Sequence, residues 1–220
     1  MVKFISIDGN IGSGKSTFLR LLQEEISKNN DLSSSCCVLQ EPVHTWESIR
    51  DENKNMLEYY TSDLERWAFP FQMMAYITRL AQMREAVRKG YKIIISERSV
   101  LTDKHVFAQM LHDDEKITNV EYEIYKRWFD EFIGDFSNDL HTVYIRTRPE
   151  VAAERIEKRN RSGENIPLEY LRRCHEYHEN WLIGSEDNVN NVHIFQGNDD
   201  KKSSEDYEHW LSQTLALVNN

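Results

Sequence analysis

Gly9-Asn10-Ile11-Gly12-Ser13-Gly14-Lys15-Ser16-Thr17 decides how the rest of the chain is read. It is a complete G-x-x-x-x-G-K-S match, set between an apolar run at 2–7 and a helix-like segment opening at Phe18. That strand–loop–helix context is what a phosphate cradle requires. Glycines let backbone N–H groups turn inward around phosphate oxygens, and helix N-terminal polarity favours negative charge there. Lys15 can reach the β- and γ-phosphates, and the Ser16 hydroxyl can ligate Mg²⁺. The bland alternative, a chance Gly-rich turn, leaves the filled motif and its correct flanks unexplained. A nucleoside triphosphate is the expected ligand.

Working outward, 220 residues suffice for one well-packed α/β domain and are few for two. The net charge of −10 argues against a nucleic-acid duplex as partner, so a phosphate site must be a local concentration of positive charge. Cys36, Cys37 and Cys174 are odd in number and lack C-x-x-C spacing, which speaks against a disulfide framework or structural zinc and fits a reducing compartment. No apolar run reaches membrane-spanning length. The first strand begins so early that no signal or transit peptide is expected, which points to the cytoplasm.

Periodicity predicts strands over 2–8, 36–40, 92–96, 141–146 and 192–195. Helices are predicted over 17–28, 64–89 (closed by Gly90), 104–112, 120–132, 149–158, 168–182 and 204–218, with polar loops at 31–35 and 159–167. Five strands alternating with helices, without repeats or a convincing linker, imply one domain over 1–220. Its expected architecture is α/β, a single parallel sheet with helices on both faces.

A phosphate loop alone does not separate a kinase from a switch protein. Two carboxylates help. The second strand runs into Glu41-Pro42-Val43 and the third into Glu97-Arg98-Ser99, both at the carboxyl edge of the sheet where ligands of open α/β sheets bind. One carboxylate could accept a hydroxyl proton, the other could hold Mg²⁺ through water, and Arg98 could neutralise a transferring phosphoryl group. Taken singly, Glu41 could be a solvated strand end and Glu97–Arg98 a surface ion pair. Farther on, Arg155 and Arg159 share one helical face and Arg161 starts the polar loop. Either this is a salt-bridged solvated helix using Glu154 and Lys158, or it is a lid over about 155–167 that closes on the triphosphate.

Together these segments resemble the deoxyribonucleoside kinase family, in its deoxycytidine and deoxyguanosine kinase branch. The resemblance runs from about Val2 to Trp181. It is carried by the phosphate loop, Glu41-Pro42-Val43 with Trp46, Glu65-Arg66-Trp67 through Phe71-Gln72, Glu97-Arg98-Ser99 with Asp103, the Arg155/Arg159/Arg161 cluster and Ile166-Pro167-Leu168-Glu169-Tyr170-Leu171. It implies a P-loop kinase fold and transfer of a γ-phosphoryl group from a nucleoside triphosphate such as ATP to the 5′-hydroxyl of a deoxynucleoside. Glu41 then matches the general base, Arg98 the phosphate-neutralising arginine, Glu97 the magnesium-linked carboxylate, and Glu164 a lid glutamate touching the sugar 3′-hydroxyl. The resemblance also implies a homodimer through the helices at 64–89 and 120–132, and inhibition by a deoxynucleoside triphosphate. The family carries a Tyr shortly before Glu65. An ungapped match puts Thr61 there, with Tyr59 and Tyr60 just before it, and Tyr60 is the expected sugar contact. Asp199 and Asp200 fall where the family's adenine-contacting loop follows the last strand.

Base identity is expected to be read by Gln72, Ala75 and Arg79, at i, i+3 and i+7 of one helix, with Asp103 and the stacking candidates Phe71 and Phe107. Gln72 matches the paired acceptor and amino group of cytosine or adenine, and an ionised Asp103 accepts only, preferring a base with an exocyclic amine. The blander possibilities are a polar helix face for Gln72 and Arg79 and a helix cap for Asp103. The combination of Ala75, Arg79 and Asp103 looks like that of deoxycytidine kinases, whereas thymidine-preferring relatives carry apolar residues in place of the Arg and Asp. A deoxycytidine or deoxypurine substrate is expected. The competing activities are a nucleoside monophosphate kinase, which needs arginines for an acceptor phosphate, and a non-catalytic nucleotide-binding switch, which would dispense with Glu41. Trp67, Trp128, Trp181 and Trp210 read as core or interface aromatics, and His105, His175 and His178 do not make a metal set.

Overall fold

A computed structural model describes residues 2–134, 140–159, 166–184, 191–198 and 204–219. Five strands form one all-parallel sheet in the order β2-β3-β1-β4-β5: β1 (Lys3–Asp8), β2 (Cys36–Leu39), β3 (Ile93–Glu97), β4 (Leu140–Arg146) and β5 (Val192–Gln196). The chain leaves β1 toward β3 and β2 on one side and returns as β4 and β5 on the other. The strand order therefore reverses at β1, the position that opens a ligand crevice at the carboxyl ends.

Strand alternation gives each face its own core. Ile5, Ile7, Ile95, Val143, Ile145 and Phe195 pack on Phe18, Leu19, Leu22 and Ile26 of α1 (Lys15–Ser27) and Trp210 of α11 (Ser204–Asn219). Phe4 and Ile94 pack on the other side against α5 (Leu64–Arg88) and α8 (Asn119–Ile133). Tyr144 on that same side meets Trp181 and Leu182 of α10 (Leu168–Leu182). Each such side chain contributes ~1.5–3 kcal/mol on burial, so the sheet frame is rigid where the crevice begins.

Most expected elements are present, and three stretches differ. The 31–35 loop is helical, α2 (Asn30–Ser35), because Asn29 caps it by accepting from the Asp31 and Leu32 amides. Two short helices, α3 (Val43–Ser48) and α4 (Met56–Ser62), fill the connection after β2, the second closed by an Asn55/Glu58 capping box. The single helix expected over 104–112 is instead α6 (Val100–Thr102), a π-helical turn at Asp103–Ala108, and α7 (Gln109–Asp113). The remaining long helix, α9 (Pro149–Arg159), starts at its Pro as expected.

Candidate active site

The phosphate loop is built from backbone geometry. Gly9 and Gly12 have φ of +144° and +78°, which L side chains rarely adopt. A Cβ on Gly12 would lie 2.5 Å from the Ala152 carbonyl oxygen of α9, and one on Gly9 would lie 2.6 Å from that of Ile145. Gly14, also left-handed, is the N-cap of α1 and offers no capping side chain. The first-turn amides of α1, those of Lys15, Ser16 and Thr17, thus have neither an intrahelical acceptor nor a side-chain cap, and an anion can take that place. Asn10 anchors the loop by donating to the Leu171 carbonyl (2.8 Å) and accepting from the Ile11 amide (2.8 Å). The Lys15 ammonium donates to the Asn10 carbonyl at 2.7 Å. Burial foremost, then repulsion from Arg98, lower the Lys15 pKa to about 7, against the pull of Glu97, Glu41 and Asp8.

Ser16 and Glu97 are the residues that would hold a magnesium ion. The Ser16 hydroxyl donates to Glu97 Oε1 at 2.8 Å, which puts two oxygen ligands of the hard type Mg²⁺ prefers at the start of α1. Behind them the buried Asp8 carboxylate accepts from Ser6 and Thr102, and burial raises its pKa against those bonds and the charges of Arg98 and Lys15.

Opposite the loop, side chains from four elements converge. Glu41 follows β2, and its Oε1 accepts from Arg98 Nη1 at 2.6 Å and Arg79 Nη2 at 3.3 Å. Burial raises the Glu41 pKa, but Arg98 and Arg79 outweigh it and hold the carboxyl at about 2. It is a carboxylate at any working pH, not the solvated strand end that was one alternative. Arg98, at the end of β3, is itself in the left-handed region (φ 62°), a conformation that costs ~1–2 kcal/mol. Ser96 Oγ donates to its carbonyl at 2.7 Å and its amide donates to Ile7 at 3.0 Å, which fixes the turn that aims the guanidinium at Glu41. Arg98 and Glu97 are only 4% and 6% exposed, so neither is a surface pair. Two Arg98 nitrogens, Nε and Nη2, are buried without a partner. Unpaired buried donors of a cation suit an arriving phosphate oxygen.

Arg79 reaches across from α5, where its Nε donates to Asp103 Oδ2 at 3.0 Å and its Nη1 to the Glu97 carbonyl at 2.7 Å. Asp103 is therefore not a helix cap: Ser99 does that work, accepting from the Thr102 amide. The π turn explains the placement. One wide turn carries Asp103 toward Arg79 and Phe107 toward Arg98, whose Cζ lies 5.0 Å from the Phe107 ring centre. Burial pushes the Asp103 carboxyl up while Arg79 opposes it, and Asp103 and Glu41 keep Arg79 charged against its own burial. Gln72 and Arg79 are each 2% exposed, which excludes a polar outer face, and Gln72 Oε1 has no partner. Ala75, Trp46 and Phe71 cluster beside them, with Trp46 and Phe71 edge to face at 5.3 Å and the Trp46 ring N–H donating to Thr78 at 3.0 Å.

Of the three candidates for the sugar contact, Tyr60 stacks on Phe71 (4.3 Å) and shares a 3.1 Å hydrogen bond with Tyr170 of α10. Tyr59 donates to Asp51, and the Thr61 hydroxyl donates to the Leu57 carbonyl at 3.0 Å, so both turn to the outside. Tyr170 is a residue that sequence reasoning did not single out, although it sits inside the 166–171 segment. Arg155 Nη1 donates to the Ser13 carbonyl at 3.4 Å, which brings α9 onto the phosphate loop. Arg159 ends α9, while Lys158 and Glu154 are 4.0 Å apart. Arg161, Glu164, Asp199 and Asp200 lie outside the described residues. Among the described residues no His/Cys/Asp/Glu cluster could hold a metal ion by itself, and no helix is long and apolar enough to cross a membrane.

A chain with this cleft finds its relatives readily. It is 35% identical over 198 residues (88% of this chain, 75% of the other) to a fowlpox virus (strain NVSL) protein described as a probable deoxycytidine kinase. It is 34% identical to the deoxycytidine kinase of Homo sapiens over 83% of this chain and 76% of that one. With the mitochondrial thymidine kinase 2 of Homo sapiens it shares 37% identity over 81% of this chain and 64% of the other. A model of the family described as deoxynucleoside kinase matches residues 5–219, and the chain belongs to the deoxynucleoside kinase family.

Proposed function

We propose that this kinase transfers the γ-phosphoryl group of ATP, or another nucleoside triphosphate, to the 5′-hydroxyl of a deoxynucleoside, preferring deoxycytidine or a deoxypurine over thymidine. The observation that carries the reading is the chain of ion pairs Arg98–Glu41–Arg79–Asp103 facing the phosphate loop, with both arginines and Asp103 buried and Glu41 partly open to the cleft. In it Glu41 accepts the hydroxyl proton. A carboxylate of such low pKa is a weak base, which suits a loose phosphoryl transfer in which the proton leaves late. Arg98, with Arg155 and Arg159 from the arginine-rich lid, takes up the charge on the moving group, and Lys15 binds the β- and γ-oxygens. Ser16 and Glu97 would hold Mg²⁺, which would supply charge neutralisation on the triphosphate. Tyr60 and the lid's Glu164 hold the sugar, and Gln72 with Asp103 meets a base bearing an amine.

The relatives include both deoxycytidine kinases and a thymidine kinase, so the base preference rests on Asp103 and Arg79 rather than on overall similarity. Thymine would turn a carbonyl toward the Asp103 carboxylate and leave buried groups unpaired, at a cost of ~1–3 kcal/mol. We further propose one domain over 1–220 and a homodimer through α5 and α8, whose Ile77, Val120, Ile124 and Trp128 stand exposed. End-product inhibition by a deoxynucleoside triphosphate and residence in the reducing cytoplasm, in line with three free cysteines, complete the proposal. The decisive assay offers purified protein MgATP and each of the four deoxynucleosides and compares kcat/KM. Deoxycytidine or a deoxypurine should lead and thymidine trail. A thymidine preference would overturn the base assignment, and no phosphorylated nucleoside at all would overturn the kinase reading.

A further inference from the structure

The buried Asp8 carboxylate takes no part in the proposed chemistry. Asp8 ends β1, immediately before the phosphate loop, and is fully enclosed. Central parallel strands are ordinarily apolar, as Ile5 and Ile7 are here, and a carboxylate among them is unfavourable unless it is hydrogen-bonded. Its bonds are specific. Oδ2 accepts from Ser6 Oγ on the same strand, whereas Oδ1 accepts from Thr102 Oγ1, 94 residues further along the chain.

Thr102 closes α6, between Arg98 and Ser99 on one side and Asp103 on the other. Its oxygen accepts from the Ser99 amide at 3.1 Å, which leaves its one proton for Asp8. The Thr102 amide in turn donates to Ser99 Oγ at 3.2 Å. The segment 98–103 is therefore tied to the end of β1 at two points. At its start the Arg98 amide donates to the Ile7 carbonyl at 3.0 Å, and near its far end Thr102 donates to Asp8. Between and beside those ties stand Arg98, whose Nη1 meets Glu41 at 2.6 Å, and Asp103, which accepts from Arg79 at 3.0 Å.

We propose that Asp8 is a positioning residue, its bond to Thr102 setting the spacing between the phosphate loop and the side chains that hold the acceptor. One partner of the bond adjoins Gly9 of the loop, and the other adjoins Asp103. In-line transfer needs the reacting atoms about 3–3.5 Å apart, and a displacement of about 1 Å can cost about 10²-fold in rate. A hydroxyl–carboxylate bond is short and directional, so it fixes that spacing more closely than an apolar contact of the same size would. This inference rests on the kinase reading and adds to it a residue that acts through its neighbours.

The test compares wild type with Thr102→Val, which keeps the shape and removes the donor, Thr102→Ser, which keeps the donor, and Ser6→Ala, which removes the other bond of Asp8 and leaves the tie. Readouts are Tm, MgATP affinity by equilibrium binding, and kcat and KM with the preferred deoxynucleoside, taken well below every Tm. Thr102→Val should lower kcat about 10- to 10²-fold while MgATP affinity stays within about twofold. Thr102→Ser should restore kcat to within about threefold of wild type. Ser6→Ala should lower Tm and leave kcat within about threefold, because its loss is one of stability. A smaller kcat loss in Thr102→Val, an equal loss in the serine variant or in Ser6→Ala, or a loss confined to MgATP binding would each overturn the inference. Thr102→Ala takes the place of a valine variant that does not fold. If neither folds, the bond is structural and the inference falls. A wild type that phosphorylates no deoxynucleoside would instead bring down the kinase reading beneath it.

Discussion

The two halves of the cleft are made of different material. The phosphate half is mostly backbone: nine consecutive residues, left-handed glycines and the uncapped start of α1, to which Asn10, Lys15, Ser16, Glu97 and Arg155 add side chains. The other half is side chains, brought from the ends of β2 and β3, the middle of α5 and the π turn, and held by ion pairs among Glu41, Arg98, Arg79 and Asp103. The difference teaches where each half can vary. A backbone cradle reads phosphate whatever base it carries and tolerates little change, whereas a pocket made of side chains is expected to alter its preference by substitution.

The sharpest way to part the halves is Glu41→Gln. It should cut kcat about 10²- to 10⁴-fold, the usual worth of a positioned base, while triphosphate affinity measured by equilibrium binding stays as it was. A parallel collapse of triphosphate binding would show that the halves are one unit. Next in size is Arg79→Met with Asp103→Ala. Removing both partners avoids stranding one buried charge, an error that costs ~3–5 kcal/mol, and Glu41 keeps its shorter bond to Arg98. The thymidine-to-deoxycytidine ratio should rise about 10²-fold, the sum of two mismatched groups at ~1–3 kcal/mol each, with the MgATP KM unmoved. An unchanged ratio in steady-state kinetics would take base reading away from these positions.

The smallest effect concerns Lys15. Its folded pKa of about 7 lies below the ordinary 10.5, so between those values the unfolded chain holds a proton that the folded one does not. Stability should therefore climb as pH rises across that window, and Lys15→Met should flatten the slope. Urea unfolding at pH 7, 8 and 9 measures it. Triphosphate binding at pH 8 should take up a proton as the anion recharges the amine, visible as buffer-dependent heat in calorimetry.

The same division governs what could be read before folding. The sheet, the phosphate loop and the start of α9 rest on neighbours in the chain, so strand alternation, glycine spacing and a leading Pro disclose them. Glu41 and Glu97 follow from knowing where strands end. The π turn leaves no such mark, since Asp103 and Phe107 look like an ordinary helical face until Arg79 and Arg98 claim them. Among Tyr59, Tyr60 and Thr61, Tyr60 turns to Phe71 and Tyr170, a meeting of α4, α5 and α10 that chain order does not disclose. The small helices α2, α3 and α4 depend on caps such as Asn29 and Asn55, too short a pattern for periodicity to register.

Gly12, finally, has a bearing on motion as well as on shape. With no side chain between them, α9 rests its Ala152 carbonyl and Ile156 against the loop itself, and Arg155 grips the Ser13 carbonyl from the same helix. Packed interiors transmit displacement rather than absorb it. The loop and α9 are therefore fixed to each other, and Arg155 is held in the same unit.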